Sequence, residues 1–493
     1  MTRITTALLT LALLPLQLFG LDVASDAGRL STLINNPASV AELRVSGSID
    51  LTDFQFIAEQ MPALRTLDLS AAHIAAYSGK PVNGVSASAE NTIPQGVFAA
   101  SALTSVTLPT SGALRIGDTA FAGSSLQSVS IPANTVYVGQ GAFSACPQLA
   151  SVKLSTAETG GYVFKGCAKL VSADLGGATA VGPSDFADCT SLKTVTGTAS
   201  LSTIGQSAFD GCTALESFSF GKMLKSIGAA AFHNTELQSA ALRLASSLGT
   251  IGDWAFADNA KLTTVQLPDG VSTLGKGAFF DCRSLESFVL PEGCAALPDY
   301  VFKDANALSN ISLGENVGKI EPYALKGTSA VGNLTLPATV DSIGSHAMEG
   351  MTGLTQIDVT ALDHVPALGE KVWDGVNTSA VILKTGDDMI EPFKAAGQWQ
   401  DFDIQGKSDV NGIVSPSAPL LRGRFAGAVL HIEASGYSIG QIELYDASGK
   451  LLTKVSADGA DSISIDTGSM AANLFLIRCS LDGDMTATLK LAR

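Results

Sequence analysis

Basic residues are scarce in this chain. Lys and Arg number 30 against 46 Asp and Glu over 493 residues, a net charge of −16. They are scattered singly, so no basic face exists to replace the counterions of a phosphate backbone. No nucleic-acid partner is expected, and passive adsorption to anionic membranes is disfavoured. Charged residues of both signs reach only 15%. No apolar run approaches the roughly 20 residues of a membrane helix, so the mature chain is expected to carry no transmembrane segment. Catalytic signatures are missing too: there is no H-E-x-x-H and no G-x-S-x-G. His73, His233, His346, His364 and His431 sit at unrelated positions. No enzymatic activity, cofactor or metal is expected. The seven Cys are odd in number and lack the close pairs of a zinc site. None precedes Cys146, so a lipid anchor on an N-terminal Cys is not expected.

What is present begins with residues 1–20. Arg3 precedes an apolar run at 7–16, followed by Leu18, Phe19 and Gly20. A positive start, a short apolar core and a small residue read as a signal peptide. Cleavage is expected after Gly20, with Ala24 as the alternative.

The strongest signal is internal repetition. Phe98, Phe121, Phe143, Phe164, Phe186, Phe209, Phe232, Phe256, Phe279 and Phe302 recur every 21 to 24 residues, and Leu325, Met348 and Trp373 continue the column, giving thirteen copies. Each reads approximately I-G-x-x-A-F-x-x-C-x-x-L-x-x-V-x-L-P. A clean copy contains Ile204-Gly205, Ala208-Phe209, Cys212, Leu215, Phe218 and Phe220. The alternation after the Leu predicts a short strand with one buried face. Pro109, Pro132, Pro268, Pro291 and Pro337 end it, because proline has no amide to donate. The Ile-Gly pair predicts a second extended piece and a corner with positive φ at glycine. The Ala-Phe pair predicts a turn or short helix, and Gly123, Gly166, Gly211, Gly327 and Gly350 bend the chain back. One copy cannot bury its own apolar face, but stacked copies cover one another. The predicted fold class is a repeat solenoid, β-rich with short helices or turns, followed by a small all-β sandwich.

The cysteines fall into the same frame. Cys146, Cys167, Cys189, Cys212 and Cys282 each stand three residues after the anchor Phe. The column reads as a small buried apolar position. Disulfides between neighbouring coils are a second reading, and metal binding or catalysis a third.

The repeat resembles the BspA-like leucine-rich repeats of bacterial surface proteins, over about residues 91–405. The flank at 21–90, with Leu43, Val45, Ile49, Leu64, Leu67 and Leu69, resembles the capping region before such repeats in Bacteroidetes-type proteins. Phe393, Trp399 and Phe402 resemble the terminal cap. The resemblance implies a secreted or surface-exposed, outer-membrane-attached protein that mediates adhesion, with a protein ligand on a host or on neighbouring bacteria.

Residues 406–418, rich in Gly, Ser and Pro, read as a linker. Residues 419–493 hold short alternating runs and the turn signal Asp446-Ala447-Ser448-Gly449, which predicts a β-sandwich. Leu444 to Leu451 and Lys490-Leu491-Ala492-Arg493 resemble the C-terminal sorting domain of type IX secretion cargo. Asn473 departs from that pattern, which has Gly there. The resemblance implies the secretion machinery as a second partner. An ordinary adhesive β-module is the alternative.

The outward strand positions are the candidate binding surface: Thr104, Ser105, Thr107, Gln127, Ser128, Ser130, Thr263, Thr264, Gln266, Ser309, Asn310 and Ser312. They are rich in hydroxyls and amides and poor in the Trp, Tyr and Arg of binding hot spots. A glycan-binding accessory protein and a passive surface scaffold are the alternative functions. A glycan binder calls for clustered exposed aromatics, and two of the three Trp fall in the last repeat and the cap.

Overall fold

The structure is a computed structural model that describes residues 19–155, 158–407, 421–426, 428–434, 438–446, 450–470, 474–481 and 485–492. Residues 1–18 of the expected signal peptide, most of the expected linker, the turn at 447–449, Asn473 and Arg493 lie outside the described residues. The chain divides into two units, residues 1–409 and 410–493.

The first unit is a β-solenoid of about seventeen turns. The V-x-L segments stack as a row of short parallel strands, hydrogen-bonded in successive sheets rather than one ladder, and the expected strand at 215–220 is not formed. Ser128–Ile131, Ser151–Leu154, Ser172–Asp174 and Thr194–Thr196 pair in register, with Val129, Val152, Ala173 and Val195 aligned. Their alternation is as the sequence predicts: Ser128 and Ser130 are exposed, Val129 and Ile131 buried. The Ile-Gly segments form a second parallel row, with Ile204, Ile227, Ile251 and Leu274 aligned. The third side is a turn that carries the Ala-Phe pair.

The anchor phenylalanines point inward and stack. Phe121 and Phe143 lie 5.1 Å apart and 1° from parallel; Phe186 and Phe209 lie 5.4 Å apart and 4° from parallel. The ladder runs from Phe98 to Phe302, all buried. The turn side has no strands, yet its backbone amides run along the stack. Phe209 N donates to Ala231 O (2.8 Å), Ser207 N to Ala229 O (2.8 Å) and Gly211 N to His233 O (3.0 Å). Left-handed residues two before and two after the Phe aim these amides at the next coil, with φ of 51° at Ser207 and 72° at Gly211. Non-glycine residues adopt this conformation in coil after coil, among them Thr119, Tyr162, Trp254, Tyr300 and Tyr323. The axial bonds offset a conformation that L-residues otherwise resist.

The glycine of the Ile-Gly pair is there for another reason than the expected positive φ. None of Gly117, Gly139, Gly205, Gly228, Gly252 or Gly275 has one. A Cβ on Gly228 would instead stand 2.6 Å from Gln206 N, and one on Gly275 2.3 Å from Asp253 N. This corner is where adjacent coils press backbone against backbone, and only glycine leaves room.

Both ends of the ladder are covered. Strands Phe19–Ser25, Val40–Ile49 and Thr66–Ile74 continue the first row in parallel up to Ser105–Thr107. Helix Leu51–Gln60 opens with a reciprocal cap between Asp50 and Asp53 and sets Phe54 edge-on to Phe98 at 6.0 Å. At the other end Trp373 packs against Trp399 (5.3 Å) and Phe402 (5.0 Å), and Phe393 closes on Trp399 (5.3 Å, 81°).

In the second unit the described strands form two antiparallel sheets. One joins Leu421–Ala426, Val429–Ala434 and Ser462–Asp466; the other joins Leu451–Ala460, Ile439–Tyr445, Leu474–Leu481 and Met485–Ala492. They share one apolar core around Leu430, Ile432, Ile442, Leu444, Phe475 and Ile477.

Candidate binding surface

The expected site residues lie on or beside the first strand row, but they divide by role. Ser105, Thr107, Ser128, Ser130, Thr264, Gln266, Asn310 and Ser312 alternate outward from their strands and are exposed. Gln127 is exposed one residue before its strand. Thr104, Thr263 and Ser309 hold that same preceding position and donate their hydroxyls to the coil behind: to Arg65 O (3.1 Å), Gln238 O (3.0 Å) and Glu286 O (3.2 Å). Thr355 does the same to Gly332 O (2.9 Å). These hydroxyls join coils.

A second surface row escaped the sequence reading. Trp254, Tyr300, Tyr323 and His346 stand two residues before the anchor in their coils and are half-buried. Tyr300 and Tyr323 stack at 4.8 Å, and Tyr323 and His346 at 5.0 Å and 4°. In the coil between Trp254 and Tyr300 the position is Gly277, and the Trp254 ring occupies the space a Cβ there would need, 2.4 Å away. Trp254 also meets Phe280 edge-on at 5.4 Å. Lys276 Nζ stands 4.8 Å from the Tyr300 ring centre and Lys326 Nζ 5.6 Å from that of Tyr323. Lys326 Nζ and His346 Nδ1 both meet Glu349 Oε2 at 2.8 Å. The Lys326 ammonium, first among the causes, holds the Glu349 carboxyl below its ordinary value. Indexing the repeat on the Phe and reading two positions back was the available signal.

The histidines, expected to be isolated, have carboxylate partners once the coils stack. His233 Nδ1 meets Asp210 Oδ1 at 2.7 Å and Nε2 meets Asp258 Oδ2 at 2.9 Å. His73 meets Glu90 at 2.7 Å, and His364, beside its sequence neighbour Asp363, lies 3.3 Å from Asp341 of the coil behind. Residues some 20 apart in sequence become neighbours along the axis, which single-chain spacing hides. His431 Nδ1 and Ser464 Oγ lie 2.7 Å apart as directly opposed residues on an antiparallel pair. Among the described residues no group of three His, Cys, Asp or Glu is placed to hold a metal.

All seven cysteines are free and buried. The column behaves as a donor position rather than a purely apolar one. Cys146, Cys167, Cys189, Cys212 and Cys282 each donate to the carbonyl of the anchor Phe one coil back, at 3.1–3.2 Å. Asn259 takes the same place and donates to Phe232 O at 2.7 Å. Burial pushes the Cys189 thiol up to about 12 and the Cys294 thiol to about 11, whereas the hydrogen bond with Cys167 draws the Cys146 thiol down to about 7.

Parallel rows, a continuous aromatic interior and outward polar columns define a leucine-rich repeat solenoid. The chain belongs to the BspA type leucine-rich repeat family, whose repeat region matches residues 91–196, 179–308, 225–355 and 295–384. Similar solved structures include a leucine-rich repeat protein of Bacteroides ovatus, at 19% identity over 78% of this chain and 87% of that one, with a TM-score of 0.49. A leucine-rich repeat protein of Eubacterium ventriosum has 19% identity over 67% and 89%, with a TM-score of 0.39. A leucine-rich cell surface protein of Faecalibacterium prausnitzii has 17% identity over 52% and 82%, with a TM-score of 0.28. The repeat match, not these superpositions, carries the assignment. No curated protein matches the chain. No enzymatic family is indicated, and among the described residues no helix is long and apolar enough to cross a membrane.

Proposed function

We propose that the protein is a secreted or cell-surface scaffold that adheres to proteins of a host or of neighbouring bacteria through its solenoid. The observation that carries this reading is the exposed strand row. Ser105, Thr107, Ser128, Ser130, Thr264, Gln266, Asn310 and Ser312 recur at the same two outward positions of their coils. The interior ladders hold the coils together without them. A repeated polar surface of this kind favours weak contacts multiplied along the axis. The test is binding of the purified full chain to immobilised extracellular-matrix proteins and to intact bacteria. Saturable binding that falls on Ser130→Arg with Gln266→Arg supports the reading; binding indifferent to both, or none, overturns it. A glycan-binding role has less support, because the faces of Tyr300, Tyr323 and His346 cover one another and offer a sugar little but ring edges.

Export is part of the same proposal. Residues 1–20 direct the chain into secretion. Strand Phe19–Ser25 pairs with Val40–Gly47, so cleavage after Gly20 keeps most of that strand, whereas cleavage after Ala24 removes nearly all of it. Residues 419–493 serve as a type IX sorting domain. Two antiparallel sheets, the closure of Asp446 N on Lys450 O (3.0 Å) and a final strand through Ala492 support this reading. Protease shaving of intact cells tests it: deletion of 419–493 should abolish surface display, and equal display overturns the sorting role.

A further inference from the structure

The strand row is interrupted at several places along the stack, and at one weakly paired place the coils part around exposed apolar side chains. Strand Thr264–Gln266 pairs with the strand before it at three positions and with the strand after it only at Thr264↔Ser287. The leucine that follows the strand donates its amide to the next coil at Leu242, Leu290 and Leu336, each at 2.9 Å, but not at Leu313. Among the described residues Leu267 makes no such bond. Here the coils part into a groove of about 590 Å3 that includes Val265, Leu267 and Val289. Val265 and Leu267 are partly exposed, as are Ile311 and Leu313 two coils on, although these columns are buried in coils such as those of Val152 and Leu290. Val289 is 69% exposed and Leu244, one coil away, 75%. Two coils cannot close such a gap themselves, so apolar surface and an amide stay open to solvent.

The rim states the charge of what fits. Asp269, Glu292 and Glu315 occupy one column of three successive coils and are exposed. None of the three is in an ion pair among the described residues, and the basic side chain lining the groove is Arg243. We propose that this groove docks an extended segment of a partner protein in which apolar and basic residues alternate. Its apolar side chains fill the gap over Val265, Leu267 and Val289, one of its carbonyls accepts from Leu267 N, and its basic side chains face the acidic column. This is strand addition at a local break in a sheet, with side-chain pockets on alternate residues supplying selectivity. It rests on the reading of the solenoid as a protein-binding scaffold and places one contact of that scaffold.

The test uses the full chain and three labelled heptapeptides, Lys-Val-Lys-Val-Lys-Val-Lys, Lys-Ser-Lys-Ser-Lys-Ser-Lys and Glu-Val-Glu-Val-Glu-Val-Glu, read by fluorescence anisotropy. The Lys-Val peptide should bind saturably and at least tenfold more tightly than either of the others. Val289→Asp should weaken it at least tenfold, whereas Val136→Asp, an exposed valine in a distant coil, should leave it unchanged. Asp269→Lys with Glu292→Lys should transfer the preference to the Glu-Val peptide. Absence of binding, equal binding of Lys-Val and Lys-Ser, or indifference to Val289→Asp overturns the groove. Binding of the same preparation to matrix proteins or bacteria is measured in parallel. Its survival alongside a failed groove leaves the scaffold reading intact, and its loss overturns both.

Discussion

Thr159 Oγ1 donates to Asp185 Oδ2 at 2.8 Å, linking one coil to the next at two positions where other coils carry apolar residues. Thr159 stands in the column of Ile116, Val138, Val181 and Ile204, and Asp185 in that of Ala120, Ala142 and Ala208. The buried Asp185 carboxylate also accepts from Gly182 N (2.7 Å) and Val163 N (3.2 Å). In a regular coil these two amides find backbone partners, as Gly205 N does at Val181 O and Ala142 N at Gly139 O. The polar pair is therefore a coupled exception. Thr159→Ile alone removes one partner of a buried carboxylate, and Asp185→Ala alone leaves a hydroxyl and two amides open. Each should cost about 1–3 kcal/mol. The double variant restores the common pattern and should lose less than the sum. Chemical denaturation of the four proteins measures the coupling, and strict additivity would contradict it.

His233 makes stability depend on pH. Its hydrogen bond to Asp210, chief among the causes, and the second carboxylate at Asp258 raise its pKa above the ordinary 6.5. A raised folded pKa means that the contribution is fully present below the unfolded value and is lost as pH rises through the folded one. The melting temperature of the protein should therefore fall further between pH 6 and pH 9 than that of His233→Gln. In an NMR titration Asp210→Asn should lower the His233 pKa more than Asp258→Asn. Equal pH dependence in the protein and in His233→Gln would show that the bridge carries no proton linkage.

The donor role of the cysteine column gives a substitution rule. Cys189→Ser keeps a group able to reach Phe164 O, now 3.2 Å from the thiol. Cys189→Ala removes this donor and leaves Phe164 O only its bond from Cys167 N (3.2 Å), at about 1 kcal/mol. Cys189→Val adds a methyl to a filled interior and should cost about 1–3 kcal/mol. Native protein should resist thiol alkylation and take up seven labels when unfolded, since all seven are buried. Labelling of the native protein at Cys167 or Cys189 would contradict the packing.

The sequence carried the fold because each column of the repeat has one physical task. A Phe every 21 to 24 residues could only be an interior ladder, and V-x-L-P could only be a strand with a stop. What escaped are the relations between columns in different coils. His233 and Asp258, or Tyr300 and Tyr323, look unrelated until the register places them about one strand spacing apart. The hydroxyls of Thr104, Thr263 and Ser309 looked displayed because nothing in a single coil reveals the carbonyl behind them. The groove at Leu267 was invisible for the opposite reason: its own coil follows the pattern, and the break lies in pairing with the next one.

The same distinction decides which glycines matter. Gly228 follows Ile227 in the second strand row, where a Cβ would meet Gln206 N at 2.6 Å and Gly205 C at 2.7 Å. Those atoms are backbone of the neighbouring coil, which cannot yield without opening the axial bond from Gly228 N to Ile204 O (2.8 Å). Gly249 lies in the next coil, and a Cβ there would meet nothing within 4 Å. Neither has a positive φ, so conformational strain does not separate them. Gly228→Ala should cost about 1–3 kcal/mol by forcing coils apart. Gly249→Ala should be neutral or stabilise by up to about 1 kcal/mol through the unfolded chain. Urea denaturation of the two variants reads the contrast directly. Equal effects would mean that glycine serves chain flexibility at this corner rather than the close approach of one coil to the next.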